Sequence, residues 1–289
     1  MSDAAGAREY GVQFDRVADA YDSHRRSYPD ELVDAACEAA GVGAGDRVLE
    51  VGCGTGQLTA SLVRRGLRVV AVDPGPRMIE RARMRMGAAA VEFVCARFED
   101  VALPRESFCA VFSATAFHWV DPSVSWVKAA SLLEAGGALV LITHCSGADE
   151  DSIAIEHALS DSVEVIAPDI AVSFPRPRRA TEVLEGAERR RGNVSALWSW
   201  IAQHDELEVP EAAALYADVH MLSRIVQFDW TAERLNAYMR TTSLSFRLGP
   251  ERTAALEADN HRLMARFGGQ VRLPELMVAV TARRADPLV

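Results

Sequence analysis

The segment from Val48 to Asp73 constrains the fold more than any other part of the chain. It reads VLEV, a turn with Gly52, Gly54 and Gly56 at alternate positions, the amphipathic stretch LTASLVRR, and a second apolar run that ends on an acid, RVVAVD. Runs of four to six apolar residues bounded by glycine suit buried strands, and the stretch between them has helical spacing. Two such strands separated by a helix must lie parallel, because a parallel neighbour needs a crossover of a dozen or more residues. The rhythm continues downstream. RMIERARMRMG reads as a helix, VEFVC, FCAVFSA and ALVLITH as strands three to five, and Ser123 to Ala135 as a helix closed by Gly136 and Gly137.

Outside this core the signals differ. About Val12 to Asp22 places Phe14, Val17, Ala18 and Tyr21 at helical spacing, the run His24 to Pro29 breaks it, and Asp30 to Ala40 forms a second helix stopped by Gly41, Gly43 and Gly45. After Ser146 the alternation is lost for about 70 residues, which hold the broken stretch SFPRPRRA and the aromatic-rich helix ALWSWIA. Regular signals return at Tyr216 to Trp230, followed by helices over about Ala232 to Ser243 and Pro250 to Phe267 and a last strand over roughly Gln270 to Arg283.

Composition removes several function classes. Of 289 residues, 49% are hydrophobic and 25% charged, as in ordinary folded proteins, and the net charge of −10 repels nucleic acid. No apolar run approaches the roughly 20 residues of a membrane span. The N-terminal stretch has neither a basic start nor an apolar signal segment, so cytoplasmic residence with no membrane partner is the expectation. Cys37, Cys53, Cys95, Cys109 and Cys145 are scattered without metal or disulfide spacing and read as reduced thiols, so no metal is expected.

The glycine turn has a mechanical reading. Without Cβ atoms the backbone can adopt unusual dihedrals and a ligand can lie against it, with helix N-terminal amides nearby for a carboxylate. Glu50 at the end of strand one faces the same crevice, and Asp73 at the end of strand two can accept hydrogen bonds from both ribose hydroxyls. A dinucleotide loop prefers GxGxxG, whereas this chain has GxGxG with Gln57 next, so a nicotinamide-dependent oxidoreductase is the weaker alternative.

VLEVGCGTG, VVAVD, CARFEDVALP and FHWVD resemble the successive motifs of class I S-adenosylmethionine-dependent methyltransferases. The opening FDRVADAYDSHRRSYP and the closing TTSLSFRLGPE and VRLPELMVAVTARR are similar to the ends of the trans-aconitate methyltransferase-like branch. The resemblance implies an α/β fold with a Rossmann-like, seven-stranded, mostly parallel sheet, helices on both faces and a reversed last strand. Residues 1–45 would form a helical lid, 46–145 the core, 146–215 a helical insertion or cap, and 216–289 the completion of the sheet. It further implies that Gly52, Cys53, Gly54 and Gly56 line the methionine moiety of S-adenosylmethionine, that Asp73 holds the ribose, and that Arg97, Phe98 and Glu99 flank adenine. Many relatives carry an acid where Arg97 stands, so Phe98 or its backbone is expected to supply that contact. Pro74 and Met78 would pack on the other face of the base, and Tyr21, Arg25 and Tyr28 would belong to the lid.

His118 and Trp119 follow strand four at the edge of the methyl-transfer site, as walls or as substrate contacts, with His118 the candidate base for a hydroxyl acceptor. In-line methyl transfer needs no metal, and holding the partners in near-attack geometry supplies roughly 7 to 11 kcal/mol. The expected activity is methylation of a small molecule at oxygen, carboxylate before hydroxyl, by a monomer or homodimer. A silent S-adenosylmethionine-binding regulator is the rival from another class. Trp198 and Trp200 read as packing residues, and the cluster Arg176, Arg178, Arg179, Arg189, Arg190 and Arg191 as a solvated face.

Overall fold

The structure is a computed structural model that describes residues 13–285 apart from 173, 175, 205 and 206. Val12, the expected start of the first helix, lies outside the described residues, as do the first part of the 1–45 lid and the end of the 216–289 segment. The strands are β1 (Arg47–Val51), β2 (Arg68–Asp73), β3 (Glu92–Cys95), β4 (Phe108–Ala114), β5 (Leu133–Ser146), β6 (Tyr216–Thr231) and β7 (Gln270–Arg284). They form one sheet in the order β3-β2-β1-β4-β5-β7-β6, with β7 antiparallel to both its neighbours and the other six parallel. The expected sheet and its reversed last strand are therefore present.

The helices are α1 (Ala18–His24), α2 (Asp30–Ala40), α3 (Gln57–Arg64), α4 (Pro76–Met86), α5 (Pro122–Leu132), α6 (Ile153–Ile166), α7 (Pro168–Ala171), α8 (Ala180–Glu188), α9 (Val194–Ala202), α10 (Ala212–Leu215), α11 (Ala232–Met239) and α12 (Ser243–Arg266). Covering both faces of the sheet explains why β1 and β2 are continuous apolar runs rather than alternating ones. Leu49 and Val51 join Trp126 and Trp198 in one core, while Val48 joins Leu32, Leu58 and Leu62 in the other. The outer strand β6 has exposed residues along much of its length.

Three local details differ from the sequence reading. The first helix is a 3-10 turn, Phe14–Val17, followed by α1. Gly136 and Gly137 do not end α5, which stops at Leu132. Leu133 already pairs with Phe108, the register shifts before Ala110 meets Ala138, and Gly136 at φ +70° lies within that shift. The helix expected from Pro250 begins instead at Ser243 and kinks at Gly249, whose φ of 73° and ψ of 171° are non-helical just before Pro250.

Candidate functional site

The carboxyl ends of β1, β2, β4 and β5 open into a cavity of about 410 Å³. At its floor the backbone N–H groups of Gly52 and Cys53 both donate to Val72 O, which folds the turn across the end of β2. Gly52 has φ +71°, and a Cβ there would lie 2.3 Å from the Cβ of Ala116, so only glycine lets this turn pass the β4 loop. Gly56 faces elsewhere. It lines neither the cavity nor its side pocket, and a Cβ on it would lie 3.2 Å from the backbone of Ala82, so its role is close packing of α3 on α4 rather than ligand contact.

Asp73 is 9% exposed and borders the cavity. Its Oδ2 accepts from Gly54 N at 2.9 Å and its Oδ1 from Gly75 N at 2.8 Å. Two backbone amides thus fix the carboxylate while each oxygen keeps a lone pair for a hydroxyl. Burial pushes its pKa up to about 6 against the lowering pull of those amides.

Pro74, Met78, Arg97, Phe98 and Glu99 line one end of the cavity. Phe98 is buried, and Arg97 is held to Glu99 at 3.2 Å. Thus Phe98 presents an apolar wall and Arg97 is partly neutralised beside it.

The lid residues Tyr21 and Arg25 also border the cavity. The Arg25 guanidinium donates to Thr241 Oγ1 (3.0 Å), Thr241 O (2.7 Å) and Tyr238 Oη (3.2 Å), and lies over the rings of Tyr21 and Tyr238. All these partners are neutral, and among the described residues no carboxylate pairs with it. Glu275 acts on the guanidinium only at longer range and is itself paired with Arg26, so the position favours a further anion. Tyr28 bonds Thr115 Oγ1 at 2.8 Å, and burial raises its pKa. Tyr28, Glu50 and Cys53 line a small adjoining pocket of about 40 Å³ rather than the main cavity, which Tyr21, Arg25, Gly52 and Gly54 border from both sides. Glu50 is 1% exposed and accepts from Thr59 Oγ1 at 2.6 Å; burial pushes its pKa up to about 8, with the Asp73 charge adding to this.

The lid is fastened to α4. Asp15 Oδ1 accepts from Arg77 N at 2.7 Å and Met78 N at 3.1 Å, capping a helix that has no cap of its own. Asp19 then pairs with Arg77 and Arg81, and Asp22 with Arg85. Removing the cap as Asp15→Ala is expected to lower stability by about 1 kcal/mol, measured by urea unfolding, because exposed ion pairs contribute little beside it. An unchanged midpoint would show that the lid is not held there.

Asp121 accepts from Ser123 N and Ser123 Oγ at the start of α5, which fixes the preceding 3-10 turn Phe117–Trp119 beside β4. This turn carries His118 and Trp119 to the cavity wall. The His118 ring stacks on His204 at 5.5 Å, and its Nδ1 is shut from solvent with no hydrogen-bond partner. Burial, then the neighbouring His204 and His144, push it down to about 3, so it is neutral at physiological pH. Trp119 meets Phe14, which also contacts Tyr21 and Phe246, giving an aromatic roof.

Sequence reasoning missed His144, at the end of β5. It borders the cavity and the side pocket, and its Nε2 lies 2.9 Å from Tyr238 Oη. The one available signal was its place at the carboxyl end of a central strand. Trp198 and Trp200 pack as expected. The arginine cluster is less solvated than expected, since Arg178 and Arg190 lie over the Trp200 ring at 4.1 and 4.2 Å.

Residues 49–141, from β1 into β5, match the family described as "Methyltransferase domain". This segment is a methyltransferase domain. An uncharacterized methyltransferase of Mycobacterium bovis is 40% identical to the chain over 135 residues, 47% of this chain and 53% of that one. A ubiquinone biosynthesis O-methyltransferase of Xanthomonas axonopodis is 38% identical over 104 residues, 35% of this chain and 44% of the relative. The chain thus spans about half the length of the curated relatives it matches. A candidate type II methyltransferase from Anaeromyxobacter dehalogenans superposes with a TM-score of 0.56 at 21% identity, over 90% of this chain and 97% of that one, and shares the fold. The methyltransferase domain thus holds the glycine turn, Asp73 and His118, while Arg25, Tyr28 and Tyr238 come from outside it.

Among the described residues no group of histidine, cysteine and carboxylate side chains could hold a metal ion, and no helix is long and apolar enough to cross a membrane.

Proposed function

We propose that the protein binds S-adenosylmethionine in the 410 Å³ cavity and transfers its methyl group to an oxygen of a small-molecule acceptor. The observation that carries this reading is the Arg25 guanidinium, whose hydrogen-bond partners among the described residues are all neutral and which lines the cavity with the glycine turn. It fits an amino-acid carboxylate, as Asp73 fits a ribose and Phe98 a base, and a dinucleotide would bring a pyrophosphate to a turn that lacks the matching glycine. When bound, S-adenosylmethionine supplies an electrophilic methyl group, whose bond to sulfur breaks with the electron pair left on sulfur as the acceptor oxygen bonds to carbon.

The chain's own residues position and desolvate. Tyr21 and Phe14 close the roof, and Arg25 fixes the amino-acid end. A carboxylate acceptor needs no base. A hydroxyl acceptor passes its proton to the His118 imidazole, which lines the cavity, as the carbon–oxygen bond forms; alkylation makes that proton strongly acidic, so even a weakly basic imidazole takes it. The oxygen preference is supported by the O-methyltransferase relative, and the carboxylate option by the likeness of the chain ends to the trans-aconitate methyltransferase-like branch.

Calorimetry with S-adenosylhomocysteine tests the binding step, and labelled methyl transfer to a panel of acids, alcohols and phenols tests the reaction. Binding is expected to weaken by up to tenfold per pH unit below about 6, because Asp73 loses its acceptor charge as pH falls through its raised pKa. No binding at pH 7.5 would overturn the reading; binding with no transfer to any acceptor would favour a silent regulator.

A further inference from the structure

A second chamber, of about 730 Å³, lies between α6 and α7 on one side and α11, α12 and β7 on the other. It meets the donor cavity at three residues that line both, His144, Cys145 and Phe174. Its volume falls within the range of small-molecule sites. Leu159, Val163, Leu235, Leu244, Leu256 and Leu273 supply its walls, with Trp230 and Met239.

Apart from Glu156, the charged side chains around it are already paired. Arg176 donates to Asp161 and Glu164, and Glu275 is paired with Arg26 at 2.7 Å. Asn260 Nδ2 is used by Asn236 Oδ1, and the Tyr238 hydroxyl by His144 and Arg25. Glu156 accepts from Ser146 Oγ, and burial pushes it up to about 7, with Glu275 adding to this. An anion entering the chamber would find no unspent cation among the described lining residues and would face Glu156. A cation would find Glu275 already neutralised and only Glu156, whose charge burial disfavours, and would lose its hydration among leucines.

We infer that this chamber is the acceptor site and takes an uncharged, hydrocarbon-rich molecule whose apolar body fills it while its hydroxyl reaches the His144 junction. The inference rests on the methyl-transfer reading and narrows its oxygen to a hydroxyl. The bonds made and broken are those already given: oxygen to methyl carbon forms, carbon to sulfur breaks with the pair on sulfur, and the hydroxyl proton goes to the His118 imidazole.

The test is binding to the full chain held at saturating S-adenosylhomocysteine, with the neutral dye Nile red as probe and n-alkanols from hexanol to decanol as competitors. Displacement is expected to tighten about fourfold per added methylene, as burial of hydrocarbon requires. Alkanoates and alkylamines of equal length should compete at least tenfold less well. Leu159 and Val163 lie one turn apart on the chamber face of α6, so Leu159→Trp and, independently, Val163→Trp should weaken dye and decanol binding at least tenfold. Both should keep wild-type affinity for S-adenosylhomocysteine. Equal binding of dye and alkanols by the filled variants, or charged chains competing as well as alkanols, would overturn the proposal. Loss of S-adenosylhomocysteine binding in the wild type would instead overturn the methyl-donor reading, and the dye would still report the chamber without it.

Discussion

Gly52→Ala is expected to weaken S-adenosylhomocysteine binding at least a hundredfold. The added Cβ would stand 2.3 Å from the Cβ of Ala116, at a φ of +71° that L side chains rarely adopt. Either the β1–α3 turn or the loop carrying Ala116 has to move, and each borders the donor cavity. Strain and overpacking together cost roughly 2 to 4 kcal/mol, which at a binding turn appears as lost affinity as well as lost stability. Calorimetry beside thermal unfolding separates the two. Gly43→Ala is the control, since nothing lies within 4 Å of a Cβ there and its φ is not positive; it should leave both measurements unchanged. A Gly52→Ala protein that bound S-adenosylhomocysteine like the wild type would show that the turn does not hold the cofactor.

Glu50→Gln is expected to stabilise the protein at alkaline pH and to do almost nothing near pH 4.5. The carboxyl is held at about 8 in the folded chain against an ordinary 4.5, because burial penalises its charged form. Below pH 4.5 it is protonated in both states and no penalty arises. Between 4.5 and 8 the unfolded chain ionises while the folded one does not, so stability falls, and above 8 the penalty is complete. Glutamine copies the neutral form and can keep the hydrogen bond from Thr59 Oγ1. The gain at pH 9 should be roughly 2 to 4 kcal/mol, read from urea unfolding at pH 4.5 and pH 9. The same gain at both pH values would mean that ionisation of Glu50 is not its source.

The parts of the site visible in the sequence are those made by short stretches of chain. The glycine turn declares itself because Gly52 and Gly54 need positive φ between an apolar strand and a helix, and Asp73 because it ends the next strand. Helix α2 runs from Asp30 to Ala40 as its proline start and glycine stop require. Gly136 shows the limit of such signals: positive φ was read as a helix stop and proved to serve a register shift between β4 and β5. Gly56 shows another, since whether a glycine meets a ligand or a helix depends on Ala82 of α4. Tyr238 carried no local mark, because it acquires its role from Arg25 and His144, far away in the chain.

By itself the sequence determined a parallel α/β core with a glycine turn and an acid at the end of the second strand, since strand and turn preferences act over a few residues. Only the tertiary structure decided that Arg25 is held by neutral hydrogen-bond partners, that His118 is neutral, and that an apolar chamber adjoins the main cavity. Burial and charge compensation are set by what packs around a group, here α11, α9 and the strand ends. Those neighbours come together only when the whole chain has folded.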